Sequence, residues 1–293
     1  MVSPGRPTRG QRAFQSVNGV ILTLVVVVTL YPFVNIVARS FSGERQIRAG
    51  EVTLWPKGFD LTTYEIVIRD GVFWRNYGNT VLYTVLSTVV AMVLTTCYAY
   101  VLSKKHLRGR GVLVGVAVFT MFFSGGLIPN YVLITSLGLK NSVWAIALPN
   151  AISVFNLLVM KAFFESLPAE LEEAAEIDGL STYGILLRIV LPLSKAVIAT
   201  MVLFYSVSFW NSWFSAFLYM DRTDLMPVTV YLRNLIAGAT GAANAGATTE
   251  QGSQVAANIQ AVTIVLTSLP ILSVYPFVQR YFVSGVMLGA VKG

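Results

Sequence analysis

An all-helical membrane protein with six spans is the fold class this sequence predicts, and three observations carry that prediction. The chain is 55% hydrophobic and only 12% charged, with a mean hydropathy of +0.67; a water-soluble domain carries about a quarter charged residues. The apolar residues gather into runs that match the ~20 residues a helix needs to cross a bilayer. The basic residues gather at the ends of those runs. They form no basic face with interleaved aromatics, so the net charge of +7 reads as membrane orientation and argues against nucleic acid as a partner.

The first run covers residues 17–37 and follows Arg6, Arg9 and Arg12. It is longer than the ~7–15 apolar residues of a secretory signal, and no small-x-small cleavage site closes it, so it reads as a retained anchor. The second run, 80–102, is followed by Lys104, Lys105, Arg108 and Arg110. Further runs occupy 111–133, 143–164, 197–218 and 259–278. Under alternating topology the two basic segments share one side, which the positive-inside rule makes cytoplasmic. Both termini and a loop at 165–195 are then expected inside, with 39–79 and 219–258 outside. Arg39, Arg45, Arg48, Lys57, Arg69 and Arg75 lie in the outer segment 39–79, accompanied by Glu44, Glu51, Asp60, Glu65 and Asp70. Long segments count less in this rule. The expectation is one transmembrane domain over 1–293, multi-pass in the cell (inner) membrane.

Catalysis is not expected of this chain. The single cysteine, Cys97, lies inside an apolar run and reads as a packing residue; the single histidine, His106, sits in a short charged loop and reads as solvated. One His in a loop supports no Ser/His/Asp or Cys/His set and no metal site. No Gly-x-x-x-x-Gly-Lys-Ser/Thr phosphate loop occurs, so ATP is not bound here by that means.

The loop at 165–195 is the most informative segment. Pro168 suits a first helical position, and Glu170, Glu172 and Glu173 then fill the first turns, where the helix dipole favours carboxylates. Leu171, Ala174, Ala175 and Asp178 share a face at spacings of three and four, and the alanines permit close approach of another surface. Gly179 sits where a helix needs a left-handed residue to stop. Ser181 can cap a second helix, and Pro192 marks the return to the membrane.

Glu173-Ala174-Ala175, three residues, Gly179, nine residues, then Ile189, Leu191 and Pro192 resemble the EAA loop of ABC importer permeases. The departures are Leu180 where alanine is usual, Leu186 where phenylalanine is frequent, and Ala196 where a second proline is common. The resemblance implies the maltose-type (type I) importer fold, with Glu173, Ala174, Ala175, Asp178, Gly179 and Leu180 in a coupling helix that docks on an ATPase. It implies as partners a second, non-identical permease subunit, two ATP-binding subunits that hold ATP and Mg, and an extracytoplasmic sugar-binding protein. No cofactor is expected on this chain itself. The ending Gly285-Val286-Met287-Leu288-Gly289-Ala290-Val291-Lys292-Gly293 looks like the shorter maltose-type subunit, whose tail, here Lys292 and Gly293, reaches the ATPases. The segment Met121-Phe122-Phe123-Ser124-Gly125-Gly126-Leu127-Ile128-Pro129 is similar to the branch that imports oligosaccharides of complex or acidic polysaccharides, alginate among them.

A sugar path wants hydroxyl-pairing groups and aromatic platforms. In the fifth run Tyr205, Ser208, Asn211, Ser212 and Ser215 share a face, with Trp210 and Trp213 adjoining; Asn150 and Ser153 add a patch in the fourth, and Thr263 and Thr267 one in the sixth. Small polar residues also mediate helix packing in membranes, which is the alternative role for each. The segment 237–255 has Glu250 as its only charge and too little apolar content for a core, and is expected to be mobile, with a connector that makes no contacts as the alternative role. By resemblance it enters the cleft of the binding protein. Two other functions remain open at this level: import of another solute (a polyol, glycerol phosphate or peptide), or a membrane structural or sensory subunit that transports nothing.

Overall fold

The computed structural model describes residues 8–244 and 258–273. Every regular element among the described residues is helical, and an isolated bridge pairs Ser42 with Phe59. Residues 245–257, the sixth run beyond Ser273, and the tail with Lys292 and Gly293 lie outside the described residues. The chain divides into two compact units, residues 1–70 with 234–266 and residues 71–233 with 267–293.

In the first unit, α1 (Arg9–Ser40) contains the expected first span. Thr8 and Gln11 close its start with a reciprocal capping box. Its 32 residues reach roughly 48 Å at 1.5 Å per residue, ample for a bilayer, and its most apolar stretch is wholly unburied. The chain then folds back through α2 (Glu44–Arg48) and α3 (Thr62–Arg69). The Asn35 amide donates to the carbonyls of Val52 and Thr53 at 3.2 and 2.8 Å, and Phe41 stacks on Tyr64 at 5.1 Å. Asp60 accepts from the backbone and hydroxyl of Thr62, which holds its carboxyl below the usual range.

The second unit is built around α4 (Gly71–Ser103), which packs most extensively against α8 (Val154–Glu165) and α11 (Lys195–Trp210). Its buried face reads Thr80, Thr84, Ser87, Thr88, Ala91 and Thr95, small residues at helical spacing that let neighbouring backbones approach. Cys97 was expected in the core and is instead exposed, on the opposite face from buried Thr95, Ala99 and Leu102.

The remaining runs are broken where straight helices were expected. Residues 111–133 form α5 (Arg110–Phe122) and α6 (Leu127–Ser136), bent by 113° at a turn where Gly126 adopts a φ of +86°. Residues 143–164 form the short α7 (Trp144–Ala147), an irregular link through Pro149, and α8. The fifth run forms α11, stops at Asn211, and resumes as α12 (Trp213–Tyr219). Between α8 and α11 in sequence lie α9 (Ala169–Ile177) and α10 (Thr182–Leu193), the latter bent by 86° from α11. The chain continues into α13 (Val228–Asn244) and α14 (Asn258–Ser273). α13 carries the helix on to Asn244, into the segment whose composition cannot build a core. Among the described residues two helices, α1 and α4, are long and apolar enough to cross a membrane alone, and α5–α6 and α10–α11 qualify only as bent pairs.

Candidate functional site

The loop after α8 is shaped by its own short-range chemistry. Pro168 falls one position earlier than expected, as the residue before the helix, with Glu170 and Glu172 in the first turn of α9. At the other end the Gly179 N–H donates to the Glu176 carbonyl and the Leu180 N–H to the Ala175 carbonyl, both at 3.0 Å. This paired closure requires a left-handed residue between them, and Gly179 has a φ of +79°. Ser181 then caps α10 through the Gly184 N–H at 3.3 Å. Within α10 the Leu191 N–H reaches back to the Leu186 carbonyl in a π-turn over Leu186–Val190. Pro192 follows, has no N–H to give, and the direction changes at Ser194.

The predicted face of α9 divides in two. Ala175 is buried in an apolar cluster with Leu102, Leu157, Phe164 and Ile185, and Leu180 packs on its edge. Leu171, Glu173, Ala174, Asp178 and Gly179 are exposed. Beside them Ile177 and Tyr183 are 87% and 78% exposed, and Leu187 63%. A capped helix thus presents carboxylates, one alanine and bare apolar side chains together.

Ion pairs tie this loop to the basic loop that follows α4. Lys104 pairs with Glu172, and Arg110 with Glu165 at the end of α8. Lys161 reaches the second oxygen of Glu165 at 2.9 Å. These contacts set residues 104–110 and 165–172 at one end of the second unit. At the other end of α4, Asn79, Thr80 and Tyr83 hold the carbonyls of Asp224 and Leu225 and the N–H of Val228. There Asn141, with a φ of 57°, accepts from the N–H groups of Asp221 and Arg222. The adjacent Lys140 hydrogen-bonds Asp221 at 2.8 Å and holds its carboxyl below the usual range.

Adjoining this second end, a cavity of about 590 Å³ is lined by Ser124, Asn130, Asn150, Phe214, Ser215 and Tyr219, among others. Two of the polar residues singled out from the sequence, Asn150 and Ser215, meet there. Ser208, Asn211 and Trp213 are exposed outside it. The Asn211 amide donates to the Val207 carbonyl of its own helix at 2.8 Å. Tyr205 is buried: its hydroxyl meets the Thr95 hydroxyl at 2.6 Å and accepts from the Ser153 N–H at 2.9 Å, joining α4, α8 and α11. Trp210 is buried too, its indole donating to the Thr267 carbonyl at 3.2 Å; Thr263 and Thr267, both on α14, are buried. Asn130 and Ser124 were not singled out for the cavity. The Gly125-Gly126 pair beside them was the signal, since adjacent glycines mark a turn even within an apolar run.

Comparison with known proteins gives one family. The model of binding-protein-dependent transport system inner membrane components matches residues 71–288, beginning at the first residue of α4. Protein LplC of Bacillus subtilis is 41% identical over 98% of this chain and 97% of its own length. The polygalacturonan/rhamnogalacturonan transport system permease protein YtcP of the same organism is 39% identical over 93% and 96%. A chain of a bacterial ABC transporter involved in the import of the acidic polysaccharide alginate superposes with a TM-score of 0.86. It is 33% identical, over 96% of this chain and 100% of that one.

Proposed function

Because the chain belongs to the family of binding-protein-dependent transport system inner membrane components, we propose that it is one permease subunit of an ATP-driven sugar importer in the bacterial cell membrane. Its task is mechanical, and the ATP and Mg are held by partner subunits. The observation that carries this reading is α9, closed at Gly179 and bearing Glu173, Ala174, Asp178 and bare Ile177 on its exposed surface. Such a helix offers a rigid plug for a cleft on an ATPase. Residues 165–195 and the basic loop at 104–110 then lie in the cytoplasm, and residues 1–293 act as one transmembrane domain.

Two ATPases close on ATP and draw two such helices together, one from this chain and one from a non-identical permease partner. Helices pass on that displacement because their backbone bonds are satisfied internally. Sugar delivered by an extracytoplasmic binding protein passes the cavity at Asn130, Asn150 and Ser215, with Asn211, Ser208 and Trp213 further along the path. Oligosaccharides of an acidic polysaccharide are the substrate class best supported, since a 39% identical relative serves polygalacturonan and rhamnogalacturonan and a 33% identical one serves alginate import.

Reconstitution with the partner permease, the ATPases and the binding protein tests this. Labelled uronate oligosaccharide should enter liposomes only with ATP and binding protein present. Uptake of neutral oligosaccharides alone would overturn the substrate class, and uptake of neither would overturn the transport reading.

A further inference from the structure

Two basic side chains connect helices that no covalent linkage brings to the coupling loop. Arg110 is the first residue of α5, its Nε donates to the Leu102 carbonyl at the end of α4 at 2.7 Å, and its terminal nitrogen pairs with Glu165 at the end of α8. One guanidinium thereby holds three helix ends. Lys104 directly follows α4 and pairs with Glu172 inside α9, while its Nζ lies 4.1 Å from the centre of the Tyr100 ring. Lys161 completes the set on Glu165. None of the five side chains exceeds 28% exposure, so solvent and salt screen them less than surface pairs.

The covalent route onward from α9 is indirect by comparison. Toward α11 the chain passes the Gly179 turn, a π-turn and an 86° bend. Toward α4 there is no direct route at all. The apolar cluster around Ala175 and Leu102 resists separation, but apolar contacts are non-directional and allow sliding. A forked guanidinium fixes direction as well as distance.

We infer that Lys104 and Arg110 are positioning residues, Lys104 locking the end of α4 to α9 and Arg110 locking the ends of α4 and α5 to the end of α8 that leads into α9, giving the coupling movement a second route into the bundle. During the cycle the 104–110 loop, the end of α8 and α9 move as one body. This rests on the coupling reading of α9, and the test separates the two.

The assembled transporter, in a Cys97→Ala background, is spin-labelled at Arg108→Cys and Glu170→Cys, both on exposed positions flanking the pairs. A second labelled pair, Glu170→Cys with Ser136→Cys, reports change along the bundle. Distances are measured without nucleotide and with ATP and vanadate. The first distance should hold while the second changes. Glu172→Lys should shift or broaden the first in the ATP–vanadate state, and adding Lys104→Glu should restore it. A purely structural role would lower the yield of complex and leave that distance unaltered in what assembles. Movement of the first pair in the otherwise native complex, an unaltered distance in Glu172→Lys, or no recovery in the reversed pair overturns the inference alone. If the second pair fails to respond to ATP, the coupling reading falls and this inference with it.

Discussion

The end of the second unit that carries α9 and the region of its helix breaks are built in opposite ways. At the α9 end, a paired turn closure, a serine cap, an apolar cluster and interlocked ion pairs leave few groups without a local role. At the breaks, α5–α6, α7–α8 and α11–α12 interrupt apolar runs, and Asn150 and Asn211 stand exposed beside a cavity of about 590 Å³. Side-chain amides and interrupted backbone are costly against lipid and acceptable where water or protein meets them. In the proposed importer, stiffness belongs where force would enter, and exposed polar groups where a solute would pass.

The sharpest way to test that division uses two glycines with positive φ, one in each region. Gly179 and Gly126 have φ values of +79° and +86°, and a β-carbon would meet nothing within 4 Å at either. The cost of Gly→Val is therefore conformational in both, about 1–2 kcal/mol or more. Thermal unfolding should register a loss for both Gly179→Val and Gly126→Val. Only Gly179→Val should abolish ATPase attachment or uncouple hydrolysis from uptake. Equal loss of ATPase attachment in both would erase the distinction between the regions, and normal uptake by an equally abundant Gly179→Val complex would remove α9 from the coupling role.

Tyr205 sits where the two constructions meet, and its loss should be smaller. Tyr205→Phe removes a partner from the Thr95 hydroxyl and from the Ser153 N–H that opens α8. About 1 kcal/mol of stability is expected to go, the scale of hydrogen bonds between helices in membranes. The check is the melting temperature of the purified chain alongside uptake by the assembled complex. Loss of uptake with no change in melting would return Tyr205 to the sugar path.

Tyr205 also marks the limit of what the residues announce in advance. The Gly179 stop and the Ser181 cap are contacts over a few residues, so the local order of amino acids is enough to read them. The partners of Tyr205 lie on two other helices, and a polar face in a span looks the same whether it meets water or a neighbour. The breaks at Pro149 and Asn211 were hidden because hydropathy sums over a whole run and is blind to a turn inside it. The Lys104–Glu172 pair was half visible, as a basic and an acidic loop on one side of the membrane; which charges pair depends on how α4 and α8 pack. Ala174 and Ala175 could not be told apart for a related reason. Spacing assigns both to one face, and only the cluster beneath decides that Ala175 turns inward.

Asn211 gives the smallest effect on stability and the finest view of the open region. Its amide returns to the Val207 carbonyl, which also accepts from the Asn211 N–H at 3.2 Å, so Asn211→Leu leaves that carbonyl bonded. The change in stability should stay within about 0.5 kcal/mol, as for exposed positions without special contacts. Uptake should nonetheless fall, because an apolar group replaces a sugar-pairing amide and dries the break between α11 and α12. The accompanying measurement is labelling of Asn211→Cys in a Cys97→Ala background by a water-soluble thiol reagent. Reaction in at least one state of the transport cycle is expected. Protection in every state would place position 211 against lipid or a partner helix, and the exposed break would then be a packing surface instead of a wall of the path.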